Sequence, residues 1–288
     1  IYLDHAATTP VKPEVLDAMM PYFTQSFGNP SSIYQVAQIN KKAIDDARET
    51  IAKHLGANTN EIFFTSGGTE ADNWAIKGIV EANKNKGNHI ITTKIEHHAV
   101  LHTCEYLEKQ GFEVTYLDVN EEGVIDLEAL KAAIKDTTIL ISIMYANNEV
   151  GTIMPIKEIG AIAKEHGIAF HTDAVQAIGQ VRIDVKEQNI DALSLSGHKI
   201  YGPKGIGVLY IRRGLRITNL IHGGAQERGR RAGTENVPAI VGIAKAMELA
   251  YTDFEAKNER IKGLRDKLMN GILESIPYSK LNGSSTNR

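Results

Sequence analysis

Asp191-Ala192-Leu193-Ser194-Leu195-Ser196-Gly197-His198-Lys199-Ile200-Tyr201-Gly202-Pro203-Lys204-Gly205-Ile206-Gly207-Val208-Leu209-Tyr210-Ile211 decides the fold. Its two apolar runs, Ala192-Leu195 and Val208-Ile211, read as strands. The link between them, Ser196 to Gly207, is rich in Gly and Pro and lacks helical periodicity. A parallel connection needs roughly a dozen residues or more, usually built as a helix. The second run is therefore expected to lie antiparallel to the first.

Outward from this stretch, short apolar runs alternate with helix-like segments. Ile62-Phe64, His89-Thr93, Glu113-Leu117, Ile139-Met144 and Ile168-Thr172 complete the set of strands. Asp126 to Lys135 and Ile156 to His166 are helical in pattern, the latter opened by Pro155 and closed by Gly167. Such alternation predicts an α/β fold, a mostly parallel sheet with helices on both faces. Val237 to Ile276 reads as one long helix or two, capped by Asn236 with Pro238 in the first turn. Its apolar stripe, Val237, Ile240, Val241, Ala244, Met247 and Ala250, is continued by Ile261, Leu264, Leu268 and Ile272.

The 288 residues allow one large domain or two. A hydrophobic fraction of 42% and a charged fraction of 23% are those of an ordinary globular protein. The formal net charge of -3 gives no general pull toward nucleic acid or anionic membrane. No apolar run approaches the roughly 20 residues that cross a bilayer. The first residues include Asp4 and His5 and lack a basic-then-apolar signal pattern, so secretion is not expected. The chain starts at Ile1 and ends in the loop-like Asn282 to Arg288, so residues beyond this sequence are expected. The single cysteine, Cys104, fits a reducing cytoplasm.

Lys199, beside Ser196 and His198 at a strand end, is suited to holding an aldehyde as a Schiff base. Alone it would read as a surface lysine, as Lys204 does. Upstream, the run Ile168-Thr172 delivers Asp173 and then Gln176. A strand-end aspartate is commonly a cap; together with the lysine it becomes the acid that holds a pyridinium nitrogen. Ser66-Gly67-Gly68-Thr69-Glu70 joins a strand to a helix starting near Thr69, where glycine permits close approach and free amides face an anion. Any strand-to-helix turn can use glycine, so this pattern alone decides little. His97 follows the strand His89-Thr93, and imidazole suits proton transfer near neutral pH. His98 and His102 stand four apart with Cys104 nearby, but no third metal-ligand group is evident, and they read as surface residues. Asn147-Asn148 alone reads as a turn. The loop Arg228 to Thr234 is basic, yet three arginines in an acidic chain are too few for a nucleic-acid patch. No Walker or dinucleotide fingerprint sits in its required context.

Together these segments resemble the cysteine desulfurases of the NifS/IscS type, in the class V aminotransferase group of fold-type-I pyridoxal phosphate (PLP) enzymes. The resemblance is carried by Tyr2-Leu3-Asp4-His5-Ala6-Ala7-Thr8-Thr9-Pro10, Phe27-Gly28-Asn29-Pro30-Ser31-Ser32, Phe64-Thr65-Ser66-Gly67-Gly68-Thr69-Glu70, Glu96-His97-His98-Ala99-Val100, Asn147-Asn148-Glu149-Val150-Gly151, His171-Thr172-Asp173-Ala174-Val175-Gln176, Ser196-Gly197-His198-Lys199 and Gly229-Arg230-Arg231-Ala232-Gly233-Thr234. These run in family order to about Thr234; beyond about Tyr251 there is little signature.

The resemblance implies a fold-type-I PLP-dependent transferase with a seven-stranded sheet containing one antiparallel strand. Residues 14–250 would form a PLP-binding large domain, and 1–13 with 251–288 part of an incomplete small domain. It implies that Gly68, Thr69, Ser196 and His198 hold the cofactor phosphate, Asp173 the ring nitrogen, and Gln176 the phenolic oxygen. Asn148 lies near that oxygen and the substrate carboxylate. His97 covers the ring face, and Lys199 holds the aldehyde; either moves the α-proton. Thr234 reaches the phosphate of the neighbouring subunit, which implies a homodimer. The implied activity turns L-cysteine into L-alanine and passes sulfur to an enzyme cysteine, then to an acceptor or scaffold protein serving iron–sulfur cluster assembly or tRNA thiolation. That cysteine and the substrate-binding arginine belong to the family's C-terminal part and are not found among these residues; Cys104 sits where the family often has a non-catalytic cysteine. A C-terminal truncation accounts for both, and the truncated chain is expected to be inactive in sulfur transfer. The alternatives are a selenocysteine lyase or another PLP lyase of the group, and a non-catalytic PLP-binding fragment.

Overall fold

The computed structural model describes residues 1–288. Seven strands form one sheet: β1 (Ile62–Thr65), β2 (His89–Thr93), β3 (Glu113–Leu117), β4 (Thr138–Ser142), β5 (Ala169–Asp173), β6 (Ala192–Ser196) and β7 (Gly207–Ile211). Their spatial order is β1-β7-β6-β5-β4-β2-β3. β7 runs antiparallel to both its neighbours, with Leu193 opposite Tyr210, and the remaining pairs are parallel. The non-helical link after Ser196 thus does what its length and composition predicted.

Ten helices accompany the sheet: α1 (Pro13–Met19), α2 (Pro21–Thr24), α3 (Gln35–Leu55), α4 (Gly68–Asn83), α5 (His98–Glu108), α6 (Leu127–Ala133), α7 (Ile156–Glu165), the single turn α8 (Gln226–Gly229), α9 (Val237–Tyr251) and α10 (Phe254–Ser275). Successive strand residues face opposite sides of a sheet, and the two cores follow that alternation. Ile62, Phe64, Val208 and Tyr210 join α1, α3, α7 and α9 in the larger core. Phe63, Leu209 and Ile211 join Trp74, Ile76 and Ile79 of α4 and Val100 and Leu107 of α5 in the smaller one. Because both faces are covered, the central strands are buried throughout.

The C-terminal helical region is two helices, separated where Asp253 adopts a left-handed conformation with φ of 49°. The stripe of α9 is buried against α1 and α3. Its continuation on α10 is not: Leu264 is 56% and Leu268 66% exposed, and Phe254 is the helix's one buried residue. No helix is long and apolar enough to cross a membrane.

Candidate active site

The sheet topology makes a crevice before any side chain is considered. From β2 the chain moves outward to β3, and from β4 it moves the other way to β5 and β6. Loops leaving the carboxyl ends of β2 and β4 therefore diverge, and ligands of α/β sheets settle at such switch points. Here the crevice is a cavity of 470 Å³, within the ~300–1,000 Å³ typical of small-ligand sites. Gly68, Thr69, His97, Asn148, Asp173, Gln176, Ser196, His198 and Lys199 all line it. Thr234 is not brought there; it lies exposed on the loop before α9. A larger cavity of 870 Å³ lies at the opposite end of the sheet, among Thr138, Ala169, Asp191 and Arg212, and contains none of the motif residues.

Part of the smaller cavity's wall is suited to an anion. The turn Ser66-Gly67 leads into α4, whose first-turn amides at Gly68, Thr69 and Glu70 have no partner within the helix. The turn is pressed against the sheet, which requires glycine twice. A Cβ on Gly207 would come within 2.5 Å of the Gly67 backbone, and one on Gly68 within 2.7 Å of Val175 Cγ2. Glu70 would repel an anion here, but its carboxylate accepts from Ser66 N and is held in the fork of Arg231 at 2.8 and 3.0 Å.

The cavity also carries an amine. Lys199 closes a single turn, Gly197–Lys199, immediately after β6. Tyr201 then takes a left-handed conformation with φ of 64°, a strain that non-glycine residues accept where structure around them over-determines it. The N-terminal segment supplies that support: Thr9 Oγ1 donates to His198 O and accepts from Tyr201 N, and Thr8 Oγ1 sits 3.1 Å from His198 Nδ1. Lys199 Nζ donates to the carbonyls of Ala6 and Ala7. Burial holds the Lys199 ammonium below the usual lysine range, while Asp173, Asp4 and Glu149 pull the other way.

The cavity wall also contains a buried carboxyl. Asp173 ends β5, and its Oδ1 accepts from Val175 N at 2.9 Å in a turn; it caps no helix, because none starts between β5 and β6. Yet the residue also lines the cavity, and burial raises its carboxyl above the ordinary range while Val175 N, His97 and Lys199 oppose the rise. Asn147 and Asn148 likewise divide two roles. Asn147 makes the turn by accepting from Glu149 N and Val150 N, and Asn148 faces the cavity. His97 caps α5 through its Nδ1, which accepts from Ala99 N and fixes the ring at the cavity's edge.

The Aminotransferase class-V family matches residues 1–288. Cysteine desulfurase IscS of Clostridium botulinum strain Hall is 63% identical over 283 residues, covering 98% of this chain and 71% of its own length. This chain belongs to the cysteine desulfurases. Among solved structures, a NifS-like protein matches with a TM-score of 0.93 at 44% identity over 95% of this chain and 76% of that one. SspA in complex with cysteine matches with a TM-score of 0.84 at 49% identity, over 86% of this chain and 72% of that one. The chain thus spans roughly seven-tenths of these relatives' length.

In this cysteine desulfurase chain Cys104 is no sulfur acceptor. It lies fully buried in α5 within the smaller core, and burial pushes its thiol up to about 12. A thiol is a nucleophile only as thiolate. His98 and His102 are exposed and stack on one another at 5.0 Å, and no group of three His, Cys, Asp or Glu gathers for a metal. Sequence reasoning missed Asp4, Ala6, Ala7, Asp72, Glu149 and Val175 in the cavity wall. Ala6 and Ala7 act through backbone carbonyls, which residue type does not reveal. Asp72 had a visible signal, a carboxylate between Ala71 and Trp74-Ala75 on a buried helix face.

Proposed function

We propose that the cavity is a pyridoxal phosphate site through which the protein takes sulfur from L-cysteine, leaves L-alanine, and delivers sulfur for iron–sulfur cluster assembly or tRNA thiolation. One observation carries this reading: a helix N-terminus, a buried carboxyl and a half-buried lysine converge in one 470 Å³ cavity. The residues fit the cofactor. The glycine-walled amides suit its phosphate, and Gln176 contributes a buried amide oxygen with no hydrogen-bond partner. When bound, pyridoxal phosphate supplies an aldehyde for amines and a protonated ring that draws electron density from the substrate α-carbon.

The chain's residues divide the work by position. Gly68, Thr69, Ser196 and His198 hold the phosphate; Asp173 takes the ring nitrogen, and Gln176 and Asn148 the phenolic oxygen. His97 covers the ring face. Lys199, with its basicity lowered by burial, would hold the cofactor aldehyde, and Lys199 or His97 would carry the substrate α-proton. Asn148 also orients the substrate carboxylate. Cys104, sealed in the core, is not the acceptor thiol, and these residues hold no other cysteine. Thr234, exposed and outside the lining of its own cavity, serves the phosphate of a second copy in a homodimer. Residues 14–250 are the cofactor-binding unit; 1–13 and 251–288 belong to a smaller unit, in keeping with the exposed apolar stripe of α10. The protein works in the cytoplasm, passing sulfur to an acceptor or scaffold protein.

The test is reconstitution with pyridoxal phosphate, borohydride reduction and peptide mass mapping. A reduced phosphopyridoxyl group on Lys199 is expected. Attachment elsewhere, or none in a folded protein, overturns the reading.

A further inference from the structure

Behind Asp173, on the α4 side of β5, lies a buried polar layer that the chemistry above does not use. His171 stands two residues before Asp173 on β5, so both side chains face the same side of the sheet. Its Nδ1 lies 2.8 Å from Ser142 Oγ and its Nε2 3.0 Å from Ser194 Oγ. Ser194 is the residue of β6 in register with Asp173. Asp72, projecting from α4, completes the layer: its Oδ1 is 3.6 Å from His171 Nε2 and has no hydrogen-bond partner, and the residue is 1% exposed yet reaches the cavity wall.

Resting on the reading of Asp173 as the ring-nitrogen anchor, we propose that Asp72 is a positioning residue: with His171 and Ser194 it forms an uncharged hydrogen-bonding wall that directs the anchor's charge into the cavity. The titratable groups facing Asp72 are Asp173 and His171 from β5 and Glu96 from the loop after β2. None of them offers it a cation, because burial takes the His171 imidazole down to about 3 and leaves it neutral. Asp173, by contrast, has an amide donor in Val175 and faces Lys199 and His97. Two neighbouring buried carboxyls do not both ionise. The charge therefore rests on Asp173, and Asp72 keeps its proton, its carboxyl raised well above the ordinary range by burial and then by Asp173. A neutral acid with hydrogen-bonding capacity in hand excludes water from behind the anchor and adds no competing charge.

The geometry separates this role from simple packing. Asp72→Asn keeps shape and neutrality; Asp72→Ala opens the wall to water. In the protein reconstituted with ¹⁵N-pyridine-labelled pyridoxal phosphate, the readouts are cofactor Kd, its pH profile, and the ring-nitrogen chemical shift. Asp72→Ala is expected to weaken cofactor binding about tenfold, to shift the pH profile, and to move the nitrogen signal toward the unprotonated position. Asp72→Asn should stay within about threefold of the parent with an unmoved signal. Ser194→Ala should shift the signal less, in the same direction, and serves as the test if Asp72→Ala fails to fold. An Asp72→Ala protein with parental Kd, profile and signal overturns the proposal, and so does an Asp72→Asn protein as impaired as Asp72→Ala. Asp173→Asn, measured alongside, tests the anchor itself: an unchanged nitrogen signal there would remove Asp173 from its role whatever Asp72 does.

Discussion

The two ends of the sheet each carry a cavity and treat their charges in opposite ways. At the amino-terminal end the 870 Å³ groove is rimmed by groups that satisfy one another. Asp191 accepts from Phe170 N and pairs with Arg212, and Glu61 accepts from Asn58 N and Arg213 N. At the carboxyl end the 470 Å³ cavity holds groups with unmet capacity, including Gln176 Oε1 and Asp72 Oδ1, together with the carboxyl of Asp173 and the amine of Lys199. Size does not separate the ends; unspent hydrogen bonding does. Buried polar groups in a folded protein are ordinarily paired, so a cluster that is not marks the place where a ligand supplies the partners.

The sharpest break of this contrast is Lys199→Ala. It should leave no borohydride-fixed cofactor on the chain and, in a sulfur-transferring form of the enzyme, lower alanine production by on the order of a thousandfold or more. Mass mapping and an alanine assay check both. Next is Gly68→Ala, which drives a Cβ toward Val175 and should weaken cofactor binding by the ~1–3 kcal/mol typical of overpacking. Val175→Ala in the same chain should restore much of the affinity, and titration of the cofactor absorbance distinguishes a spatial conflict from a lost contact.

Glu96 sharpens the contrast through pH. Its carboxyl is pushed up to about 8 by burial, from an ordinary value of 4.5, although Thr93 Oγ1 and Met144 N both donate to it. The folded state thus keeps a proton that the unfolded state releases, and stability should fall as pH rises from about 4.5 to about 8. Glu96→Gln keeps both hydrogen bonds and removes the titration. It should be more stable than the parent at pH 8, by on the order of 2 kcal/mol, and not at pH 5. Urea unfolding of the cofactor-free protein at the two pH values tests the sign. The smallest effect belongs to the other end. Arg212→Ala removes a half-exposed ion pair, should cost no more than about 1 kcal/mol, and should leave cofactor affinity unchanged. A loss of affinity there would collapse the distinction between the two ends.

Much of the site was legible because each of its residues sits beside a strand end in a short motif. Asp173 and Lys199 read together as an acid and an amine serving one ring, although each alone had a commonplace reading. The layer of Asp72, His171, Ser142 and Ser194 was not legible, because its members come from four elements with no common spacing. The stripe shared by α9 and α10 shows the same limit: periodicity identifies an apolar face, and only packing covers it, as α1 and α3 do for α9.

By itself the sequence determined the alternation of strands and helices, the antiparallel turn back after Ser196, and the kinds of chemical group placed at the strand ends. These are local properties of periodicity, glycine and proline. The tertiary structure decided which strand ends meet, that Thr234 stays out of its own cavity, that Cys104 is sealed away from solvent, and that a second carboxyl stands behind Asp173. Those depend on strand order and on the low dielectric of a closed interior, which exist only once distant segments have packed.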